Sequence, residues 1–101
     1  MTPREVLVKA RALISDPERW CQYHYAVDSA GVMLGDYTSP DAERWCSYAA
    51  IMLNGQPHWQ SSGDAIDRLH NVVGCSISHF NDTHTHAEVL AAFDKAIAEA
   101  A

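Results

Sequence analysis

The stretch Ser39-Pro40-Asp41-Ala42-Glu43-Arg44-Trp45-Cys46-Ser47-Tyr48-Ala49-Ala50-Ile51-Met52-Leu53-Asn54-Gly55 decides the fold. Ser39 can cap a helix, and Pro40 suits the first helical position, where its φ is already set and its missing N–H costs nothing. Trp45, Cys46, Ala49, Ala50 and Leu53 then recur on one face, and Asn54-Gly55 supplies a stop. A helix with so apolar a face is expected at the centre of the molecule, with the other elements docked on it.

Twenty-five residues earlier, Asp16-Pro17-Glu18-Arg19-Trp20-Cys21-Gln22-Tyr23 matches Asp41-Ala42-Glu43-Arg44-Trp45-Cys46-Ser47-Tyr48 at six of eight positions. Two copies with different sequels do not make a solenoid, which needs at least three repeats to bury a continuous core. Two readings stay open. The copies converge on a helix start, where acidic side chains suit the positive end of the dipole, or both Trp-Cys pairs line one pocket.

The flanking segments read more simply. Thr2, Pro3 and Glu5 form a capping box with proline at its first helical position, and Val6, Leu7, Ala10, Leu13 and Ile14 share a face until Ser15-Asp16-Pro17 ends the helix. Trp20, Tyr23, Tyr25 and Val27, then Asp28-Ser29-Ala30-Gly31, then Val32-Met33-Leu34 predict a β-hairpin with Gly31 at positive φ. Ser62 is placed to cap a shorter helix with Ile66, Leu69 and Val73 inward and Gly74 at its end. Cys75 to His84 reads as a connection, and a second capping box at Thr85 and Glu88 opens a last helix with Val89, Leu90, Phe93 and Ile97 inward. The fold class expected is α+β, a single compact domain over residues 1–101 with three to four helices packed around a short β-hairpin.

Composition narrows the function classes. Thirteen acidic against seven basic side chains give a formal charge of −6, and 48% of the 101 residues are hydrophobic. Such a chain is an ordinary globular domain without the basic stripe that releases counterions from nucleic acid, so no nucleic-acid partner is expected. No apolar run nears the ~20 residues of a membrane helix, and the start lacks a basic-then-apolar leader. A cytoplasmic protein with no membrane partner is expected. Cys21, Cys46 and Cys75 are an odd number without paired spacing, which fits a reducing compartment.

Four constellations carry chemistry. Asn81-Asp82 precedes a capped helix, where short polar side chains either satisfy backbone donors or converge on a ligand. His79, His84 and His86, with Asp82 and Cys75, are of the types that hold zinc, yet neither Cys-x-x-Cys nor His-Glu-x-x-His occurs, so no metal is expected. Cys46 is a candidate nucleophile if His79 or His84 serves as its base and Asp82 orients that base. Read inside a helix face, it lacks the dipole that activates a thiol at a helix N-terminus. The aromatic set Trp20, Tyr23, Tyr25, Tyr37, Trp45, Tyr48 and Trp59 is mostly core, with members near polar positions that can wall a planar ligand. A phosphate on that ligand calls for Arg19, Arg44 or Arg68.

Trp20…Ala26-x-Asp28-x-x-Gly31, Arg44-Trp45-Cys46, Phe80-Asn81-Asp82 and Thr85-His86-Ala87-Glu88-Val89-Leu90 together resemble domain-of-unknown-function family 6197 of bacteria and their phages, over nearly the whole chain. The family usually has Trp-Asn-Asp at Phe80-Asn81-Asp82 and Gly-Ala-Leu after the cysteine, where this chain has Tyr48-Ala49-Ala50-Ile51. The resemblance implies the architecture and brings no activity.

The leading expectation is a non-catalytic protein, homo-oligomeric through the broad apolar faces of the Trp45 and final helices. It would hold a small polar or nucleotide ligand with Trp20, Tyr23, Arg44, Trp45, Cys46, Asn81 and Asp82 and need no cofactor. Occurrence in phages makes sequestration of a host defence nucleotide one form of it. The alternatives are a small cysteine hydrolase using Cys46, and a protein–protein adaptor.

Overall fold

The computed structural model describes residues 1–100. Its helices are α1 (Pro3–Leu13), α2 (Ser47–Gly55), α3 (Trp59–Val73), α4 (Ile77–Thr83) and α5 (His86–Glu99). A three-stranded antiparallel sheet comprises β1 (Ala26–Val27), β2 (Met33–Leu34) and β3 (Arg44–Trp45), and a 3₁₀ turn spans Pro17–Arg19. The class is α+β as expected, with five helices in place of three or four and a third strand beside the hairpin.

Where local signals are strong, sequence and structure agree. Both capping boxes form: Thr2 and Thr85 each accept from the backbone three residues on, and Glu5 and Glu88 reach back to the caps. The hairpin is tied by Asp28, whose Oδ1 accepts from the Ala30 and Val32 amides at 2.9 Å each, and Gly31 takes φ +82°. Gly74 ends α3 at φ +76°.

Three expectations need correction. Ser39-Pro40 starts no helix: Arg44 and Trp45 form an edge strand on β1, in register Val27↔Arg44 and Ala26↔Trp45, so the sheet runs β2-β1-β3. The backbone of this stretch finds distant partners instead of helical ones, Glu43 donating to the Val27 carbonyl at 2.8 Å and Cys46 to that of Tyr25 at 3.1 Å. Non-local pairing here overrides a weak local preference. Second, α3 starts at Trp59, and Ser62, fully buried, lies within it facing Gly55 of α2. Third, Cys75 to His84 contains α4, capped by Ser76, whose Oγ accepts from the His79 amide at 3.1 Å. Its inward positions are Ile77 and Asn81, one turn apart. Because one of that pair is polar, no apolar period marks the helix.

The core joins Val6, Leu7, Ala10 and Ile14 of the first segment to Ile51, Leu69, Val89 and Phe93, with Ala49, Ala50, Ala65, Ala92 and Ala96 letting the helices approach closely. Helix α2 packs on α1, α3 and α4, whereas α5 docks chiefly on α1 and α3. On the apolar faces of α2 and α5, Ala49, Ala50, Val89 and Phe93 are buried within the chain, and Leu53, Leu90 and Ile97 are partly buried. The large side chains left most exposed on the hairpin side are Tyr23, Tyr25, Val32 and Met33.

Candidate functional site

The site is organised by a buried amide. Asn81, fully buried on α4, accepts at Oδ1 from the Trp20 indole (2.8 Å), the Ser47 amide (3.0 Å) and the Ser47 hydroxyl (2.6 Å). Its Nδ2 donates to the Cys21 carbonyl (3.0 Å) and to Asp82 Oδ1 (3.3 Å). Both side-chain atoms are therefore engaged inside the protein, and Asn81 pins three segments together: the loop after the 3₁₀ turn, the start of α2, and α4. A carboxamide offers two donor hydrogens and a two-lone-pair acceptor in one planar group, which suits these contacts. Gln22 adds to the clamp, its Nε2 donating to the Asn81 and His84 carbonyls at 3.1 Å each.

This clamp decides the backbone at Tyr23, which sits at φ +71°. A side chain other than glycine rarely takes that region, and the strain persists only where surroundings impose it. Here the imposing contact is Asp82, whose Oδ1 accepts from the Tyr23 amide at 2.8 Å. The Tyr23 ring is thereby thrown outward, 72% exposed, and forms a partition between two hollows.

On one side lies a cavity of about 330 Å³, walled by Tyr23, Tyr25, Met33 and Leu34, with Cys46, Ser78 and Asp82 among its polar groups. On the other is a shallower hollow of about 710 Å³ between Trp20, Cys21, Gln22 and the hairpin turn, with Arg44 and His86 at its edge. Of the residues expected from sequence, Cys46 and Asp82 share the first, Trp20 and Arg44 share the second, and Tyr23 borders both. Trp45 lines neither: it is 8% exposed, with its indole donating to the Tyr37 carbonyl at 3.1 Å. Tyr25 belonged to the aromatic set, but His24, Met33, Leu34, Gly35 and Ser78 enter the wall without any sequence signal, because the hairpin and α4 meet only in three dimensions.

The duplicated octapeptide has a structural meaning that neither sequence reading anticipated. Trp20 and Trp45 form a parallel bridge, and the Cys21 amide donates to the Trp45 carbonyl at 3.1 Å, so the two copies lie side by side in register. Arg19 and Glu43 continue the alignment with an exposed ion pair at 3.5 Å. Trp20 and Cys21 consequently line one hollow and Cys46 the other, while Trp45 stays in the core.

Burial disfavours the thiolate form of Cys21 and Cys46. Burial pushes Cys21 up to about 12, with repulsion from Cys46 and Asp82 adding and Arg44 opposing. Cys46 is the N-cap of α2, a correction to its expected place inside the helix face, and its Sγ accepts from the Ala49 amide at 3.4 Å. Burial nonetheless raises its pKa against the pull of those amides. The histidines do not gather: His84 stacks on Phe80 at 3.8 Å, and His86 donates through Nε2 to the Ile14 carbonyl at 2.7 Å while its ring lies 5.3 Å from that of Trp20. Among the described residues, no three His, Cys, Asp or Glu side chains converge on a common metal position, and no helix is long and apolar enough to cross a membrane.

Neither the curated proteins nor the solved structures compared with the chain include a match. A family model does match, over residues 1–99, and on that match the chain belongs to the family of unknown function DUF6197.

Proposed function

We propose that this protein is a non-catalytic binder that sequesters a small planar molecule in the cavity beside Tyr23. The observation that carries the reading is the make-up of that cavity: about 330 Å³ bounded by Tyr23, Tyr25, Met33 and Leu34, with a few convergent polar groups at Asp82, Ser78 and Cys46. Concave, largely apolar walls with a small number of orienting polar atoms are the usual features of a small-molecule site. Flat rings supply contact area at low entropic cost, and Met33 adapts to the ligand's outline.

A whole nucleotide fits this arrangement less well than its base alone. The guanidinium suited to a phosphate, Arg44, lines the hollow beyond Tyr23, so base and phosphate would fall on opposite sides of that ring. The hydrolase alternative is opposed by the raised Cys46 thiol and by His84, whose Nδ1 and ring face are occupied by the Phe80 carbonyl and ring.

The test is to incubate the protein with a panel of nucleosides, nucleotides and arylalkyl compounds, remove free ligand, release what is retained by heat, and identify it by mass. An intact planar compound retained by the wild type, and at least tenfold more weakly by Tyr25→Ala, is the expected outcome. Recovery of a chemically altered compound would replace sequestration with catalysis. Absence of any retention, together with unperturbed Tyr25 and Met33 resonances, would remove the binding reading.

A further inference from the structure

We infer that the ligand of this cavity is a small organic cation, a planar body bearing a protonated amine or amidine that docks on Asp82. The inference rests on the cavity reading above and specifies the charge of the molecule it takes.

Three observations lead there. First, among the described residues Asp82 is the one carboxylate on the wall, and no Lys or Arg lines the cavity. The remaining titratable wall groups are the His24 imidazole, the Cys46 thiol and the phenols of Tyr23 and Tyr25. Second, Asp82 is held ready. Its Oδ1 accepts from the Tyr23 amide and from Asn81 Nδ2, while among the described residues no hydrogen bond from the protein reaches Oδ2. A carboxylate fixed through one oxygen and open at the other accepts a charged N–H donor without reorganising, and such charge-assisted bonds are about twice as strong as neutral ones. Third, the contact that fixes Asp82 is made to the Tyr23 amide, at φ +71°, and Tyr23 and Tyr25 line the same cavity as the carboxylate. The negative faces of aromatic rings attract a cation that the carboxylate has already drawn in.

The surroundings point the same way. Asp82 contributes to raising both Cys21 and Cys46, so its negative charge reaches across the site. The whole chain carries −6, which steers cations inward and anions away. Arg44, whose positive charge acts on Cys21, opens on the other hollow. Desolvating a ligand anion against Asp82 would meet repulsion with no compensating donor.

A matched series isolates the charge: tryptamine, tryptophol and indole-3-acetate share one ring system and differ in carrying a cationic, neutral or anionic tail. Titrated by calorimetry at pH 8 into the full chain, tryptamine is expected to bind at least tenfold more tightly than tryptophol, with indole-3-acetate weakest. In Asp82→Asn, which keeps an oxygen to accept from the Tyr23 amide, the advantage of tryptamine should vanish while tryptophol is unchanged. Equal affinities for tryptamine and tryptophol in the wild type, or preference for indole-3-acetate, would overturn the cation assignment and leave the cavity reading standing. If none of the three binds and the Tyr25 and Met33 resonances stay put, both fall. Because the wild-type comparison needs no substitution, the result does not depend on the variant folding.

Discussion

At Ser62 the hydroxyl is fully buried and has no hydrogen-bond partner among the described residues, because α3 lays it against Gly55 of α2. A Cβ at position 55 would overlap Ser62 Oγ outright and stand 2.9 Å from its Cβ, so glycine is required there by close approach. Burying an unpaired hydroxyl costs roughly 1–3 kcal/mol in mutational data. Ser62→Ala is therefore expected to be neutral or to stabilise the fold by up to about 1 kcal/mol, whereas Gly55→Ala should destabilise it by about 2 kcal/mol or more through overpacking. Urea midpoints measure both. A Ser62→Ala loss above 1 kcal/mol would show that the hydroxyl is doing something the packing does not reveal. Asn81 is the opposite case, a buried polar side chain with every polar atom partnered.

Among the elements, α5 carries a titratable start. The Thr85 amide donates to Glu88 Oε1 at 2.9 Å, and the Glu88 amide donates to Thr85 Oγ1 at 3.2 Å. Hydrogen bonding from the Thr85 backbone, and then from its side chain, holds the Glu88 carboxyl below its usual range. A depressed folded-state pKa means that the stabilisation is complete above the unfolded-state value and is lost as the pH falls through the folded one. Hydrogen exchange should therefore show the first turn of α5 losing protection as the pH drops below the ordinary glutamate range. Glu88→Gln should flatten that dependence, since a neutral amide keeps an acceptor without titrating. An identical acid slope in the variant would rule out Glu88 as its source. The helix α1 has the same box at Thr2 and Glu5, where Glu5 Oε1 also accepts from the Thr2 hydroxyl at 3.1 Å.

For the molecule as a whole, the alignment of the two octapeptides joins the loop after α1 to the start of α2 and places two thiols near one carboxylate. The raised Cys21 thiol has a thermodynamic sign opposite to that of Glu88. Its contribution is fully present below the unfolded-state value near 9.0 and is lost as the pH rises toward about 12. Urea denaturation at pH 8, 9 and 10 should show stability falling with alkalinity in the wild type and falling less steeply in Cys21→Ala. The comparison cancels the tyrosines and lysines common to both chains. Equal slopes would mean that solvent reaches Cys21 more freely than its burial indicates.

By itself the sequence determined the features whose causes lie within a few residues: the capping boxes at Thr2 and Thr85, the Asp28–Gly31 turn, the Gly74 stop and the apolar faces of α1 and α5. Those signals are short-range hydrogen bonds and φ preferences, which distant partners modify little. Only the tertiary structure decided that Arg44 and Trp45 are a strand, since their hydrogen-bonding partners lie near residue 26, and that Ile77–Thr83 is a helix, since its buried face includes Asn81 instead of a second apolar side chain. It alone decided the cavity as well. Cys46 and Asp82 were legible as candidates by type, but a hollow is a relation between Tyr23, Tyr25, Met33 and α4 that no local pattern encodes, and it exists because Asn81 and Asp82 bind a loop some sixty residues away.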